Sequence, residues 1–280
     1  MAKFIPLHIH SEFSLLDGTI RIGDLVNYAK ENELPAIAVT DHGVMYSAIE
    51  FYEKAKEAGI NPLIGCEFYV HDGDIHVHDN SHNPLYHLIL ICKDAKGYAN
   101  LIKLVSTAWC EGFYYKPRIN FELLKEHHEG LICASACLGG EVLQNLLKGD
   151  YAKAKETAQR YKDLFGDDYY IELQDHNLED QKRTNPDLIK IAKELNIKMI
   201  ITNDSHYLRR EDADAQDTLL CLQTNADKDD PNRFHFPNNE FYIKSKEEMR
   251  KAFSWMDDET FEECVKNTED AASKCNVEIE

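Results

Sequence analysis

The sequence predicts an α/β barrel followed by a helical extension, and three observations lead to this fold class. Seven short apolar segments alternate with amphipathic helical segments over residues 1–210, which is typical of a parallel sheet surrounded by helices. Histidines and carboxylates recur where these apolar segments end. Strand ends meet on one face of a barrel, so a barrel is favoured over an open sheet. From about Glu211 onward the alternation stops.

The individual elements follow from the same periodicities. Short apolar runs predict strands, and a 3.6-residue apolar repeat predicts helices. The predicted strands are residues 4–9, 36–40, 63–70, 88–92, 131–134, 169–173 and 199–202, and the predicted helices include residues 22–31, 47–58, 98–110, 151–165 and 186–194. Residues 70–84, VHDGDIHVHDNSHNP, are predicted to form a polar loop or hairpin. The barrel is predicted to span residues 1–210, and residues 211–280 to form helices joined by a loop around residues 229–239.

Composition excludes several classes of protein. The chain has 280 residues and no apolar run of about 18 residues, so no transmembrane helix is expected. No secretory signal pattern is present, which makes the cytoplasm the expected location. The eight cysteines are scattered without a CxxC pair, which argues against a disulfide scaffold or a zinc finger. A net charge of -19 has the wrong sign for a surface that grips nucleic acid, although bound metal ions can hold phosphate inside an acidic protein.

Two histidine and carboxylate pairs predict a metal site. His8 and His10 end the first predicted strand, and Asp204 and His206 follow the last. Residues i and i+2 of an extended chain point to the same side, so each pair can grasp one cation. Alone, the His8 and His10 pair would fit two surface histidines equally well. Together they lie at opposite ends of the predicted sheet and at the same rim of a closed barrel.

Three further groups belong to the same pattern. Asp17 follows the first predicted strand, His42 ends the second, and Glu67 lies in the third. Five of these seven groups lie just past the carboxyl end of a strand, where catalytic groups gather in α/β barrels. Imidazole and carboxylate ligands suit zinc, manganese or iron better than magnesium alone. Asp41, next to His42, points to the other side of its strand and is expected to orient a ligand rather than bind metal.

Other polar residues have a functional and a structural interpretation. Lys116 and Arg118 lie in an aromatic loop, where they would either hold a substrate phosphate or be packed in the loop. His176 follows the sixth predicted strand and is a candidate substrate contact. His76 and His78 form a second HxH pair, but their polar surroundings predict that they are exposed to solvent.

Several motifs resemble one protein family, the PHP (polymerase and histidinol phosphatase) domains, in the branch found in bacterial DNA polymerase III alpha subunits. The opening motif HIHSEFSLLDG at residues 8–18 is typical of PHP phosphoesterases in general. The stretch EGFYYKPR at residues 111–118 and the segment DDPNRF at residues 229–234 favour the polymerase branch. Further similar segments are VTDHG, IGCE, HL and TNDSHY, and the similarity covers nearly the whole chain.

The resemblance implies a distorted (β/α)7 barrel, the PHP fold, with three divalent metal ions. It implies nine ligands, and each position holds a residue able to bind metal: His8, His10, Asp17, His42, Glu67, His87, Cys137, Asp204 and His206. One cation would take His8, His10, Glu67 and Asp204, a second would share Glu67 and take His87 and Cys137, and the third would take Asp17, His42 and His206. His87 and Cys137 enter through the resemblance alone, because His87 lies at the start of its predicted strand and Cys137 lies in a loop.

The resemblance also implies a function. The leading hypothesis is a phosphoesterase that acts as a 3′–5′ exonuclease, proofreading during DNA replication, with His8, His10, Glu67, Asp204 and His206 as catalytic residues. Its partners would be the single-stranded 3′ end of DNA, the remaining domains of the polymerase subunit and other replisome subunits. One alternative is a non-catalytic module whose metals staple the barrel, and another is a free-standing phosphatase of the histidinol-phosphate type. No polymerase palm is recognisable before Glu280, so the chain is expected to be part of a longer subunit.

Overall fold

The computed structural model describes residues 2–78 and 84–279 of the chain, and most of the predicted elements are present there. The strands are β1 (Ala36–Val39), β2 (Asn61–His71), β3 (Leu85–Cys92), β4 (Arg118–Ile119), β5 (Leu131–Ala134), β6 (Tyr169–Leu173) and β7 (Lys198–Ile201). The α-helices are α1 (Ile22–Glu31), α2 (Ala48–Glu57), α3 (Ala95–Cys110), α4 (Phe121–His127), α5 (Glu141–Leu147), α6 (Tyr151–Phe165), α7 (Glu179–Glu194), α8 (Ala213–Thr224), α9 (Lys246–Ala252) and α10 (Asp258–Ser273). The chain is therefore α/β, with helices on the outside of one curled sheet.

The strand order is β1-β2-β3-β5-β6-β7, and the amino-terminal segment connects the two ends of this sheet. On one side the carbonyl of Pro6 accepts a hydrogen bond from the backbone of Ala38 in β1 at 3.2 Å. The carbonyl of Ile9 accepts one from Thr40, the residue after β1, at 2.8 Å. On the other side His10 donates to the carbonyl of Ser205 at 2.8 Å, just after β7. Residues 4–9 form an extended segment with one bridge, between Ile9 and Ser205, instead of the predicted continuous strand. The barrel is closed by this short contact rather than by a full ladder.

The expectation of an entirely parallel sheet is wrong at one strand. β3 runs antiparallel to both β2 and β5, whereas β1 with β2, β5 with β6, and β6 with β7 are parallel. The start of β3 therefore lies beside the carboxyl end of β2, with His87 paired opposite Tyr69. His87 had the wrong position for a rim site in a parallel strand. Because the strand is reversed, it lies on the same rim as the other candidate ligands.

The barrel interior is apolar at one end and polar at the other. Alternate residues of the strands point inward, and those in the apolar half include Leu63 on β2, Ile91 on β3 and Ile200 on β7. Glu67 and Glu172 occupy inward-facing positions further along β2 and β6, two or four residues from apolar ones. The sequences of β2 and β6 thus each place a carboxylate in the polar half, while their apolar residues fill the other half.

The carboxyl-terminal residues are packed onto the barrel. Ala271, Ala272 and Cys275 of α10 and the turn after it join the apolar interior cluster and cover its end. The backbone of Ile5 donates to the hydroxyl of Thr268, at 3.0 Å, which ties α10 to the amino-terminal segment. The division at residue 210 stays a prediction, since residues 211–279 share the barrel's core. Among the described residues no helix is both long and apolar enough to cross a membrane.

Candidate metal centre

The two predicted HxH and DxH pairs meet at the polar end of the barrel. The Nε2 atoms of His8 and His10 lie 3.1 Å apart, and each lies 3.1 Å from Oδ1 of Asp204. Oε1 of Glu67 is 3.4 Å from His8 Nε2, and its Oε2 is 3.7 Å from His10 Nε2. Ligand atoms bound at about 2.0–2.1 Å around a tetrahedral zinc ion lie roughly 3.3 Å from one another. These four side chains therefore have the spacing of ligands to one ion.

A second group lies beside the first and shares Glu67 with it. His87 Nδ1 lies 2.9 Å from Glu67 Oε1, and Cys137 Sγ lies 3.5 Å from the same histidine nitrogen. Gly139 makes this approach possible, because a Cβ atom at that position would lie 2.9 Å from the His87 ring. The ligand atoms of Glu67, His87 and Cys137 all lie within 4.8 Å of one another, which is close enough for one cation.

The third predicted set surrounds Asp17. Its Oδ2 atom lies 3.0 Å from His42 Nε2 and 3.7 Å from His206 Nε2. The rings of His42 and His206 both stack against His10, at centroid distances of 3.9 and 4.3 Å. The structure thus brings together all nine predicted ligands in one cluster, with Glu67 in contact with members of each set.

Buried polar atoms without hydrogen-bond partners test whether this cluster fits cations. His42 Nδ1, Glu67 Oε2 and Asp204 Oδ1 are buried and unsatisfied. His42 Nδ1 and Glu67 Oε2 lie only 2.5 Å apart, yet they are not oriented for a hydrogen bond. Buried polar atoms are almost always paired in native proteins. Lone pairs that converge without bonding one another are what a cation site requires, so the residues fit the metal ions that the sequence predicts.

Neighbouring groups fix which nitrogen of His8 and of His206 faces the centre. His8 Nδ1 lies 2.6 Å from the buried carboxylate of Glu172, so its Nε2 lone pair is directed at the cluster. His206 Nδ1 donates to the carbonyl of Asp204 at 2.8 Å, which leaves its Nε2 facing Asp17. A bonded second nitrogen orients a metal-binding histidine and raises its basicity.

Asp41 supports His10 through a serine. Ser14 Oγ lies 3.1 Å from His10 Nδ1 and donates to Asp41 Oδ1 at 2.8 Å. The Asp41 carboxylate also accepts from the hydroxyls of Ser11 and Ser47. It is thus fully engaged away from the cluster, in agreement with an orienting role.

Protons compete with cations for this cluster. Burial lowers the pKa of His8, but Asp204 and Glu172 outweigh burial and hold that pKa well above its usual value. Burial likewise opposes protonation of His42, yet Glu67 and Asp17 raise its pKa to about 10. Burial and the nearby His42 and His206 lower the pKa of His10 to about 3. A metal ligand must be neutral or anionic, so metal affinity should fall as the pH falls.

The loop that carries Asp204 has a strained backbone and is held by hydrogen bonds of its neighbour Asn203. Asp204 has φ 43°, a left-handed conformation that is uncommon outside glycine and that clusters at functional sites. The neighbouring Asn203 side chain donates to the carbonyls of Glu240 and Tyr242, at 2.8 and 2.7 Å, and accepts from Lys244 at 3.0 Å. The carboxyl-terminal segment therefore holds this ligand loop in place, and no pattern in the sequence predicted these contacts.

The three predicted substrate contacts, Lys116, Arg118 and His176, lie in different surroundings. Lys116 is exposed beside the cluster, with its ammonium 5.1 Å from the centre of the Tyr69 ring. Arg118 is buried and donates to the carbonyls of Gly112, Val77 and Ile75, so it supports the loop instead of meeting a phosphate.

His176 is also buried, which differs from the predicted substrate contact. Its Nε2 donates to Asn203 O at 2.8 Å, and its Nδ1 accepts from Gln181 at 2.8 Å. Burial, foremost among the causes, lowers its pKa to about 4 and keeps it neutral. With both nitrogens occupied, His176 positions the Asn203 loop.

Two clefts give access to the cluster. One is lined by Phe234 and Phe236 from the predicted loop of residues 229–239, and the Phe236 ring meets the His206 ring edge to face at 4.9 Å. The other opens past Asp17 and His42 toward Trp109 and the aromatic loop. His87, His42 and Asp17 are partly exposed, at 26%, 16% and 16% of the side chain. A substrate can therefore approach these three from outside.

The second HxH pair lies away from the cluster. His76 and His78 are exposed, and the His78 ring stacks on Tyr114 at 5.0 Å. We expect the double change His76→Ala and His78→Ala to leave the number of bound metal ions unchanged, as measured by elemental analysis of the purified protein. The loss of a full equivalent would show that this pair binds metal.

Arg118 gives a prediction for stability. We expect Arg118→Lys to lower the free energy of unfolding by about 2–3 kcal/mol, because a lysine cannot satisfy three buried carbonyls at once. Urea unfolding measures this change. The matched control is Lys116→Met, an exposed position of the same loop, which should change stability by less than about 0.5 kcal/mol. Equal effects of the two substitutions would contradict the structural role of Arg118.

One protein family and several known proteins are similar to this chain. Residues 6–176 match the PHP domain family. The chain is similar to the DNA polymerase III subunit alpha of Borreliella burgdorferi, with 44% identity over 98% of this chain and 24% of that protein. It is also similar to the same subunit of Deinococcus radiodurans, with 46% identity over 99% of this chain and 21% of that protein. The chain thus spans less than a quarter of the length of these relatives.

Among solved structures, a two-domain protein from Bacteroides vulgatus that contains a predicted PHP-like metal-dependent phosphoesterase has a TM-score of 0.45 and 18% identity. The match covers 74% of this chain and 53% of that one.

Proposed function

This chain belongs to the PHP domain family, and from that premise we propose that it is the metal-dependent 3′–5′ exonuclease domain of a bacterial DNA polymerase III alpha subunit. The observation that carries the proposal is the convergence of nine potential ligands on one rim, with buried lone pairs that no protein donor satisfies. The similarity to polymerase subunits over nearly the whole chain supports DNA as the substrate.

The proposed metal sites follow the three sets of side chains. Glu67 would be shared, with its two oxygens facing different neighbours, His87 at 2.9 Å and His42 at 2.5 Å. Zinc, manganese and iron all suit the mixture of imidazole, carboxylate and thiolate ligands. Bound at these sites, such ions would lower the pKa of water and neutralise a scissile phosphate.

Charge arithmetic is consistent with three divalent ions. The proposed ligands include three carboxylates, Asp17, Glu67 and Asp204, and the thiol of Cys137. With Cys137 as thiolate they carry four negative charges, which two divalent ions would neutralise. A third ion would leave two positive charges, enough for one phosphodiester and one hydroxide. This local charge is how a chain with net charge -19 would hold an anionic substrate.

The protein's own side chains would prepare the site. Glu172 accepts the Nδ1 proton of His8, and Ser14 links His10 to Asp41, so both imidazoles keep one orientation. Burial raises the pKa of Cys137, as do Asp204 and Glu67, so a bound cation would be needed to hold it as thiolate. His206 and Asp17 would complete the site at the more open side, next to the clefts through which the strand enters.

The test is a time course on single-stranded DNA with manganese, compared with the same reaction in a chelator. We expect stepwise loss of nucleotides from a linear strand that has a free 3′ end, and no cleavage of the same sequence closed into a circle. Cutting of the circle would make the activity an endonuclease. Release of phosphate from histidinol phosphate, without action on DNA, would favour a free-standing phosphatase. Bound metal without any hydrolysis would favour the structural module.

The remaining expectations belong to the same proposal. The partners would be the other domains of the polymerase subunit, further replisome subunits and the 3′ end of the primer strand. The protein would work in the cytoplasm, where bacterial DNA is replicated.

A further inference from the structure

A groove of exposed aromatic rings runs away from the candidate metal centre. Its walls include Tyr46, Trp109, Phe113 and Tyr115, which are 58%, 40%, 46% and 74% exposed, and we refer to these four residues as the aromatic groove. Large apolar side chains gathered on a surface usually mark a binding site. These four lie within a single cleft, so they are not scattered surface residues.

The central rings of the groove are held rigidly. Trp109 Nε1 donates to the carbonyl of Gly43 at 2.8 Å, which fixes the indole over the turn after β1. The Phe113 ring stacks on Trp109 with centroids 5.2 Å apart and planes 15° apart. Gly43 has φ 63°, and a Cβ atom there would lie 2.7 Å from Pro117, so the turn, Trp109 and the loop fit closely. The rings are thus fixed in place before any ligand arrives.

The loop that carries Phe113, Tyr115 and Lys116 is also supported from below. Arg118 bonds three backbone carbonyls beneath it, and its guanidinium lies 5.3 Å from the centre of the Tyr114 ring. This support leaves Lys116 exposed at the groove, with its ammonium free to meet an anion.

The groove is continuous with the metal centre, because Asp17 and His42 line both. A molecule lying along the rings would reach these two ligands at one end and pass Lys116 on the way. Flat apolar faces beside a cation suit a chain of unstacked bases joined by phosphates. A peptide would use the rings but would bring no regular negative charge to Lys116 and the proposed metal sites.

We propose that the aromatic groove binds single-stranded nucleic acid, with bases stacked on Trp109 and Phe113 and a phosphate beside Lys116. This rests on the proposed function and extends it, because it gives the path by which a strand reaches the metal centre. Stacking on aromatic rings tolerates any base, which suits an enzyme that must accept every sequence.

Tryptophan fluorescence tests the groove without relying on activity. The chain has two tryptophans, so Trp255→Phe leaves Trp109 as the sole indole. An eight-residue oligothymidylate with phosphorothioate linkages, which resist hydrolysis, should quench this fluorescence as it binds. An abasic strand with the same linkages should bind about 5- to 150-fold more weakly and quench little, the range that corresponds to ~1–3 kcal/mol for a stacked base. Equal binding of the two strands, or binding of neither, would overturn the proposal.

Substitutions in the same single-tryptophan protein locate the contact. Phe113→Leu keeps an apolar side chain without the ring and should weaken oligothymidylate binding about 5- to 150-fold. Lys116→Gln should weaken the binding of both strands and reduce its dependence on salt, because one phosphate contact is lost. Unchanged affinity in both variants would overturn the proposed path.

A comparison of two substrates separates this proposal from the proposed function. In the metal-loaded wild-type chain, Trp109→Leu should lower the ratio of oligonucleotide to bis(p-nitrophenyl) phosphate hydrolysis about 5- to 150-fold. The matched control is Trp255→Leu, since Trp255 is 45% exposed but bonds Asp175 outside the groove, and its ratio should stay unchanged. An unchanged ratio in Trp109→Leu would overturn the groove. If wild type hydrolyses neither substrate the proposed function fails, and the fluorescence titration still decides the groove.

Discussion

Replacing Asp204 with asparagine is expected to abolish DNA cleavage and to remove the one metal ion proposed to bind His8, His10, Glu67 and Asp204. Asp204 Oδ1 lies 3.1 Å from two imidazole nitrogens, and no hydrogen bond satisfies it. An amide keeps the shape of the carboxylate but loses its charge. The loss of partners that only orient a ligand already weakens metal binding by about 10- to 100-fold. The loss of a ligand charge should therefore weaken metal binding by at least about 100-fold, with activity falling in parallel.

Elemental analysis and a cleavage time course with manganese measure the two effects. The matched control is Glu141→Gln, because Glu141 is a buried carboxylate outside the cluster, paired with Arg160 at 2.6 Å. It should lose some stability while keeping its metal and activity. If Asp204→Asn keeps full metal content and cleaves as fast as wild type, Asp204 is not a ligand and the proposed centre is wrong.

Much of this centre could be predicted because strand periodicity is a local property. His8 and His10 share a side of an extended chain, and so do Asp204 and His206. The prediction that they meet required only that the sheet close on itself. The structure brings both pairs within 3.1 Å of each other. The roles of these residues as ligands stay a proposal until metal is measured.

The direction of a strand was beyond what the sequence pattern could decide. A short apolar run such as residues 88–92 has the same pattern in a parallel and an antiparallel sheet. The position of His87 therefore looked unfavourable until β3 was found to run antiparallel. Tertiary arrangement, here the antiparallel pairing of β3 with β2 and β5, supplied the missing information.

Burial was the other property that the sequence could not give. A basic residue in an aromatic loop can face a phosphate or a set of carbonyls, and Arg118 does the latter. His176 follows a strand end like the true members of the cluster, yet both its nitrogens are used within the fold. Glu172 was missed, although a single carboxylate inside the apolar strand YYIEL was a visible signal.

The carboxyl-terminal residues contribute more to the site than the sequence suggested. Residues 240–244 hold the Asp204 loop through Asn203, and Phe236 packs against the ring of His206. These contacts join residues some thirty to forty positions apart in the sequence. No local periodicity reports such contacts, so they emerge only when the chain is folded.

Glu67→Gln should have the second large effect. We expect it to remove more metal than a substitution of any ligand that belongs to only one of the three proposed sites. Its Oε1 lies 2.9 Å from His87 and 3.4 Å from His8, and its Oε2 lies 2.5 Å from His42. The carboxylate therefore belongs to at least two of the proposed metal sites. Removing its charge should weaken all of them at once.

The matched comparison is His87→Asn, which should lose only the one equivalent of metal held with Cys137, whereas Glu67→Gln should lose two. Thermal unfolding gives a second measurement, since metal at about 100 times its Kd stabilises a protein by about 2.7 kcal/mol, or roughly 5 °C for a domain of this size. We expect added manganese to raise the Tm of wild type by this amount, that of His87→Asn by less, and that of Glu67→Gln hardly at all. The contrary outcome is that Glu67→Gln keeps as much metal as His87→Asn and responds to manganese equally. That result would show that the Glu67 carboxylate is not shared, and that each metal site has its own separate ligands.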